Sequence, residues 1–266
     1  MMFWAGRDPA ETLAELRALG LRCGQLGLPG DLDLNCAEAW RMALADAAFT
    51  VYTVFAAFEG ESYADLATVQ RTVGFIPPAT RAEREARMRG VSDFAAAIGA
   101  PGIATHIGFV PEDSADPDYL AVREMVRRVC DHAAGHDQTF ALETGQEPAE
   151  VLLAFLHDVD RENLGINFDP ANMILYGTGD PIEALGLLAP HVLSVHAKDG
   201  EWPARPGALG EERPLGEGSV GIERFVAELK RIGYRGPIAI EREAGEQDLK
   251  SAVMLLCESG ASAGPD

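Results

Sequence analysis

The sequence predicts an α/β protein, a (β/α)8 barrel in a single domain over residues 1–266, on three observations. Short apolar runs alternate with stretches of helical period from end to end, the order that builds a parallel sheet from strand–helix units. The runs are apolar almost without interruption, as strands are when both faces are covered. The turn after the first long run reads GLPGD and does not fit GxGxxG, which argues against an open doubly wound sheet.

In chain order, a leading helix fits 9–19, with Asp8 as cap, Pro9 at the first helical position and Gly20 as stop. Strands are expected at 21–26, 50–55, 102–106, 138–143, 163–168, 191–196 and 237–241, with a further, short one at 213–216 (RPLG), the seventh in chain order. Helical patterns cover 35–48, 80–98, 118–134, 147–158, 181–188, 221–232 and 247–257. Segments 56–79 and 199–217 exceed ordinary barrel connections and are expected to act as lids.

Composition narrows the function. A 47% hydrophobic content supplies a full core, and the formal charge of −20 repels a phosphate backbone, so nucleic acid is not an expected partner. No apolar run approaches the roughly 20 residues of a membrane span, and the start MMFWAGRDPAETL lacks a signal-peptide pattern. The four cysteines are scattered with no CxxC pair, as free thiols in a reducing compartment are. A cytoplasmic protein is expected, with a homo-oligomer possible and the oligomeric state left open.

Four residues carry the chemistry. Glu143, Asp169, His196 and Glu241 each stand where an apolar run ends: TFAL, LGINF, VLSV and IAI. Carboxylates are rarely buried unpaired, because stripping water from a charge is costly. One divalent cation compensates three carboxylates and an imidazole at once. Each residue alone also has a plainer reading, a surface or ion-paired glutamate or a core histidine. The spacings of 26 (143 to 169), 27 (169 to 196) and 45 (196 to 241) suit strand–helix units. They place the four at the ends of strands four, five, six and eight, pointing into one C-terminal mouth. This mainly oxygen donor set favours Mn²⁺, with Mg²⁺, Co²⁺ or Zn²⁺ as alternatives.

The segments ALETGQE, NFDPANM, SVHAKD and IAIERE, taken in order, resemble the sugar phosphate isomerase/epimerase superfamily. This TIM-barrel group includes xylose isomerase-like enzymes and ketose 3-epimerases, and the resemblance runs from about Leu21 to Leu256. It implies one divalent metal on Glu143, Asp169, His196 and Glu241, with Glu143 and Glu241 as the proton-transfer pair. Asn172 stands where the 3-epimerases carry a substrate-binding histidine, and their arginine after the ligand histidine has no clear counterpart beyond Lys198 or Arg205. Endonucleases of the same superfamily hold three zinc ions with additional histidines, which the strand-two region VYTVFAAFEGE lacks.

Four further residues are candidate substrate contacts: His106, Asn172, Lys198 and Gln146. For His106 the alternative is a packed barrel histidine, for Asn172 a helix-start cap, and for Lys198 a salt bridge to Asp199 or Glu201. Glu147 reads as a helix-start charge and Glu243 as an ion partner for Arg242. The expected function is a metal-dependent isomerase or epimerase of a keto sugar, keto-inositol or sugar phosphate. The alternatives are a lyase that cleaves a 3-keto-glycoside by β-elimination, a phosphodiesterase of the endonuclease branch, and a non-catalytic sugar-binding protein.

Overall fold

The computed structural model describes residues 1–6, 8–242 and 249–261. In chain order its first half runs β1 (Met2–Trp4), α1 (Pro9–Ala18), β2 (Cys23–Leu28), α2 (Ala37–Ala47), β3 (Thr50–Ala56), α3 (Leu66–Thr72), α4 (Arg81–Ala97), β4 (Gly102–Thr105) and α5 (Pro117–Ala134). There follow β5 (Thr139–Glu143), α6 (Ala149–Val159), β6 (Leu164–Phe168), α7 (Pro170–Tyr176), α8 (Pro181–Leu188) and β7 (Val192–Ala197). The chain continues with β8 (Asp199–Glu201), β9 (Glu211–Arg213), α9 (Ile222–Arg231), β10 (Ile238–Ile240) and α10 (Leu249–Glu258). Eight strands form one sheet in the order β1-β2-β3-β4-β5-β6-β7-β10. The fold class is the expected one, a TIM barrel of parallel strands with helices between them.

One strand was expected in the wrong place. RPLG is not a barrel strand; β9 ends at Arg213 and pairs antiparallel with β8 in a separate two-stranded sheet. Its residues Glu211, Glu212 and Arg213 are charged and partly exposed, which does not suit a strand covered on both faces. The strand that completes the eight is β1, the first in the chain, whose three residues pair in parallel with Gln25, Leu26 and Gly27 of β2. Three residues are too short a run to show a period. Glu143 therefore ends the fifth barrel strand, Asp169 follows the sixth, His196 lies on the seventh and Glu241 follows the eighth.

Helix starts repeat one device. Asp8, Asp116, Asp169 and Asp180 each cap a helix whose first turn carries a proline. The aspartate accepts from amides the helix leaves unpaired, and proline has no amide to satisfy there. Each such cap is worth about 1 kcal/mol.

By internal packing the chain falls into two compact units. The first is Met1–Leu142 with Phe155–Gly165, cored by Leu26, Val54, Met88, Ile103 and Val126. Within it, buried Arg84 donates to the Gly74 and Thr72 carbonyls, and Val69, Val73 and Phe75 are buried. Segment 56–79 is thus packed around α3. The second unit is Glu143–Ala154 with Ile166–Asp266. Here α9 buries Ile222, Phe225, Val226 and Leu229, a spacing of three and four that lines one helical face, and Phe225 stacks on Phe168 at 6.0 Å. Segment 199–217 is tied down by buried Asp199, whose carboxylate accepts from the amides of Gly200, Gly216, Gly218 and Val220.

Candidate metal centre

All four members of the set lie in the second unit and are buried: Glu143 is 1% exposed, Asp169 0%, His196 0% and Glu241 7%. One donor atom from each lies within 4.8 Å of the others. Strand register brings them together. Asn167 pairs with Ser194 across β6 and β7, and His196 pairs with Ala239 across β7 and β10. Residues two apart on a strand share a face, so Asp169 aligns with Asn167, His196 with Ser194, and Glu241 with Ala239.

His196 Nδ1 is 3.0 Å from Glu143 Oε1, 3.1 Å from Glu241 Oε2 and 3.4 Å from Asp169 Oδ2. One ring nitrogen carries at most one proton and cannot satisfy three carboxylates. Neighbouring donors on an octahedral ion with bonds of about 2.1 Å stand about 3.0 Å apart, close to these separations. Asp169 Oδ2 is buried and accepts no hydrogen bond among the described residues. The donor set therefore fits a divalent cation.

Each ligand is held by a neighbour. Asp169 caps α7 through Oδ1, which accepts from the Ala171 and Asn172 amides at 2.8 and 3.0 Å, leaving Oδ2 for the cluster. Thr144 Oγ1 accepts from the Asp169 amide at 2.8 Å and donates to its carbonyl at 3.1 Å. Asn172 is not the cap; its Nδ2 donates to Glu143 Oε1 at 3.2 Å. Gly145, at φ +139°, passes so close to Asn172 that a Cβ there would sit 2.4 Å from the Asn172 Cβ. The Nε2 of His196 is 3.1 Å from Asn167 Nδ2, and the Ser194 hydroxyl donates to Asn167 Oδ1. Asn167 and Ser194 escaped the sequence reading. The available signal was a polar residue two positions before Asp169 and before His196 in an otherwise apolar strand.

Lys198 is 3% exposed. Its Nζ lies 3.1 Å from Glu241 Oε2 and 3.9 Å from Asp169 Oδ2, so its pairing is with the cluster, while Asp199 serves loop amides. Burial pushes the Asp169 carboxyl up, but the Lys198 charge and then His196 outweigh it and hold Asp169 down at about 2. Glu241 is likewise lowered, as His196 and Lys198 overcome burial. Burial would lower His196, yet the charges of Glu241 and Glu143 hold it well above its ordinary range.

A depressed carboxyl contributes stability above its unfolded value of about 3.9 and loses it as pH falls through the folded one. Metal-stripped protein should lose roughly 2 kcal/mol from this group between pH 4 and pH 2. Urea unfolding checks this: the D169N variant should lose less stability over that window than the parent, by about that amount.

Gln146 is buried at 2% exposure. Glu147 is not a surface helix-start charge. Helix α6 begins only at Ala149, and Glu147 is 3% exposed with neither carboxylate oxygen accepting from another described residue. Burial pushes it up to about 8. His106 lies in the first unit, just past β4, with its ring 5.5 Å from Phe55 and 5.7 Å from Tyr63. Arg242 pairs with Glu212 at 3.0 Å, and Glu243 lies outside the described residues.

Residues 13–258 match the xylose isomerase-like TIM barrel family. The chain belongs to that family. It is similar to the xylose isomerase domain protein of Planctomyces limnophilus, at 46% identity and a TM-score of 0.83 over 88% of each chain. The D-allulose 3-epimerase of Methylomonas sp., solved with D-allulose, shares the fold at a TM-score of 0.67 and 20% identity, over 95% of this chain and 85% of that one. The ketose 3-epimerase of Arthrobacter globiformis is 29% identical over 156 residues, 58% of this chain and 45% of that protein. The matched stretches span between 31% and 54% of the length of the curated relatives. Among the described residues, no helix is long and apolar enough to cross a membrane.

Proposed function

We propose that this chain is a divalent-metal-dependent isomerase or epimerase of a keto sugar, keto-inositol or sugar phosphate. The observation that carries this reading is the buried convergence of Glu143, Asp169, His196 and Glu241. Its family and its likeness to a ketose 3-epimerase support it. Glu143, Asp169, His196 and Glu241 would hold one ion, Mn²⁺ by preference for a mainly oxygen set, with Mg²⁺, Co²⁺ or Zn²⁺ as alternatives. Such an ion polarises a carbonyl and offsets the negative charge that develops when the adjacent carbon loses its proton.

The side chains supply the rest. Glu143 and Glu241 take and return the proton beside the carbonyl. Asn172 fixes Glu143 through its 3.2 Å hydrogen bond. Lys198, at 3.1 Å, keeps Glu241 ionised and so able to accept. Gln146, Asn172, Lys198 and His106 are the proposed substrate contacts. Return of the proton to the opposite face of the same carbon epimerises it; return to the former carbonyl carbon exchanges ketose and aldose.

A lyase is the second reading, favoured by the buried ammonium of Lys198, which can protonate a departing oxygen after the same first step. Incubating the metal-loaded protein with keto sugars, inososes and 3-keto-glycosides in deuterated water separates the two. Deuterium incorporation with the carbon skeleton and substituents retained is the expected result, and release of an aglycone identifies a lyase. A substrate panel with neither outcome overturns both.

A further inference from the structure

A second group of ligating side chains lies in the first unit, where α4 packs on α5. Asp93 lies on α4, His132 in the last turn of α5, and His136 just beyond its end. The Nε2 atoms of His132 and His136 stand 2.8 and 2.9 Å from the same oxygen, Asp93 Oδ1. The two rings are 5.5 Å apart and inclined at 74°, so they reach that oxygen from different directions. All three donor atoms lie within 4.8 Å of one another. The side chains are open to solvent, at 28% and 35% exposure for the histidines and 59% for Asp93.

Among the described residues, the arginines of the adjacent turns are paired with another carboxylate. Arg89, one turn before Asp93, and Arg128, one turn before His132, both bond Glu85, at 2.8 and 2.6 Å. Burial raises the Asp93 carboxyl, but hydrogen bonds from His136 and His132 outweigh it and hold Asp93 below its ordinary value. Asp93 is therefore an anion at neutral pH. The charge of −20 on the whole chain also raises the local concentration of cations.

We propose that Asp93, His132 and His136 form a surface site for a divalent transition-metal ion of the zinc type. Two imidazoles and one carboxylate are the donors Zn²⁺ takes in four-coordinate sites with one position left to water, whereas Mg²⁺ and Ca²⁺ select oxygen. Tetrahedral bonds of about 2.0–2.1 Å separate donors by about 3.3 Å. The two nitrogen–oxygen distances, 2.8 and 2.9 Å, need open by only about half an ångström to accept the ion, which exposed rings at a helix end can do. A bound ion would pin the end of α5 to α4.

The test is a Zn²⁺ titration of metal-stripped, full-length protein, following histidine ring signals by NMR and bound metal by equilibrium dialysis. The ring signals of His132 and His136 should shift with Zn²⁺ and stay in place with Mg²⁺. The H132Q/H136Q variant should bind one equivalent fewer than the parent, with its thermal melt confirming that it is folded. Loss of one ligand in H132Q should weaken this site at least about tenfold, since even outer partners of metal ligands are worth 10–100-fold. Ring signals unmoved at a large excess of Zn²⁺, or equal zinc content in parent and double variant, would overturn the site. Either result is independent of sugar turnover.

Discussion

Glu143→Gln should leave a folded protein whose turnover falls by at least about a thousandfold. Glutamine keeps the shape of the side chain and can still meet the Asn172 amide through its carbonyl, but it has neither charge nor basicity. General base catalysis alone is worth roughly 10²–10⁴-fold, and the same change weakens the ligand set around His196, where Glu143 Oε1 lies at 3.0 Å. Stability of the metal-stripped protein should change little or rise. One of three buried carboxylates is neutralised, which relieves mutual repulsion while the paired charges of Glu241 and Lys198 remain. Steady-state rates with the substrate found by deuterium exchange, alongside circular-dichroism melts, check both halves. Activity near that of the parent in a folded, metal-loaded E143Q protein would remove Glu143 from the proton transfer.

Mn²⁺ affinity should rise about tenfold per pH unit between pH 5 and 6.5. The sign follows from His196. Its ring is held charged well above its ordinary value by Glu241 and Glu143, so over this range the empty cluster retains one proton that an entering ion must displace. Asp169 and Glu241 are already ionised there, because both are lowered, and they add no slope. Calorimetric titration in buffers of different ionisation enthalpy should show close to one proton released per Mn²⁺ bound. Affinity independent of pH over this window would mean that His196 is not displaced by the ion. Saturating Mn²⁺ should also raise the melting temperature, by mass action on the folded state, and chelation should reverse the rise.

Much of the candidate site was legible in the chain because each ligand interrupts an apolar run at its end, and burial of a charge there demands compensation. Asp169 illustrates what was not legible. It caps α7 as Asp8, Asp116 and Asp180 cap their helices, although the sequence pointed to Asn172 for that role. Only the structure shows one oxygen capping α7 while the other faces His196. Glu147 shows the opposite failure. A glutamate near a helix start reads as a solvated charge, yet it is enclosed on all sides, and nothing in its neighbours announces that. The group of Asp93, His132 and His136 was missed because Asp93 and His132 lie 39 residues apart on separate helices.

The order of apolar runs, the caps at helix starts and the identities of the four cluster residues were determined by the amino-acid sequence itself. Each rests on local chemistry, such as a period of hydrophobicity, an unpaired amide or a charge without water. The choice of β1 over RPLG to complete the eight strands, the Ser194–Asn167 support behind His196 and the turn of Lys198 toward Glu241 were decided by tertiary structure alone. Those side-chain contacts join residues 27 to 43 positions apart, and strand register, which no local pattern encodes, sets which of them meet.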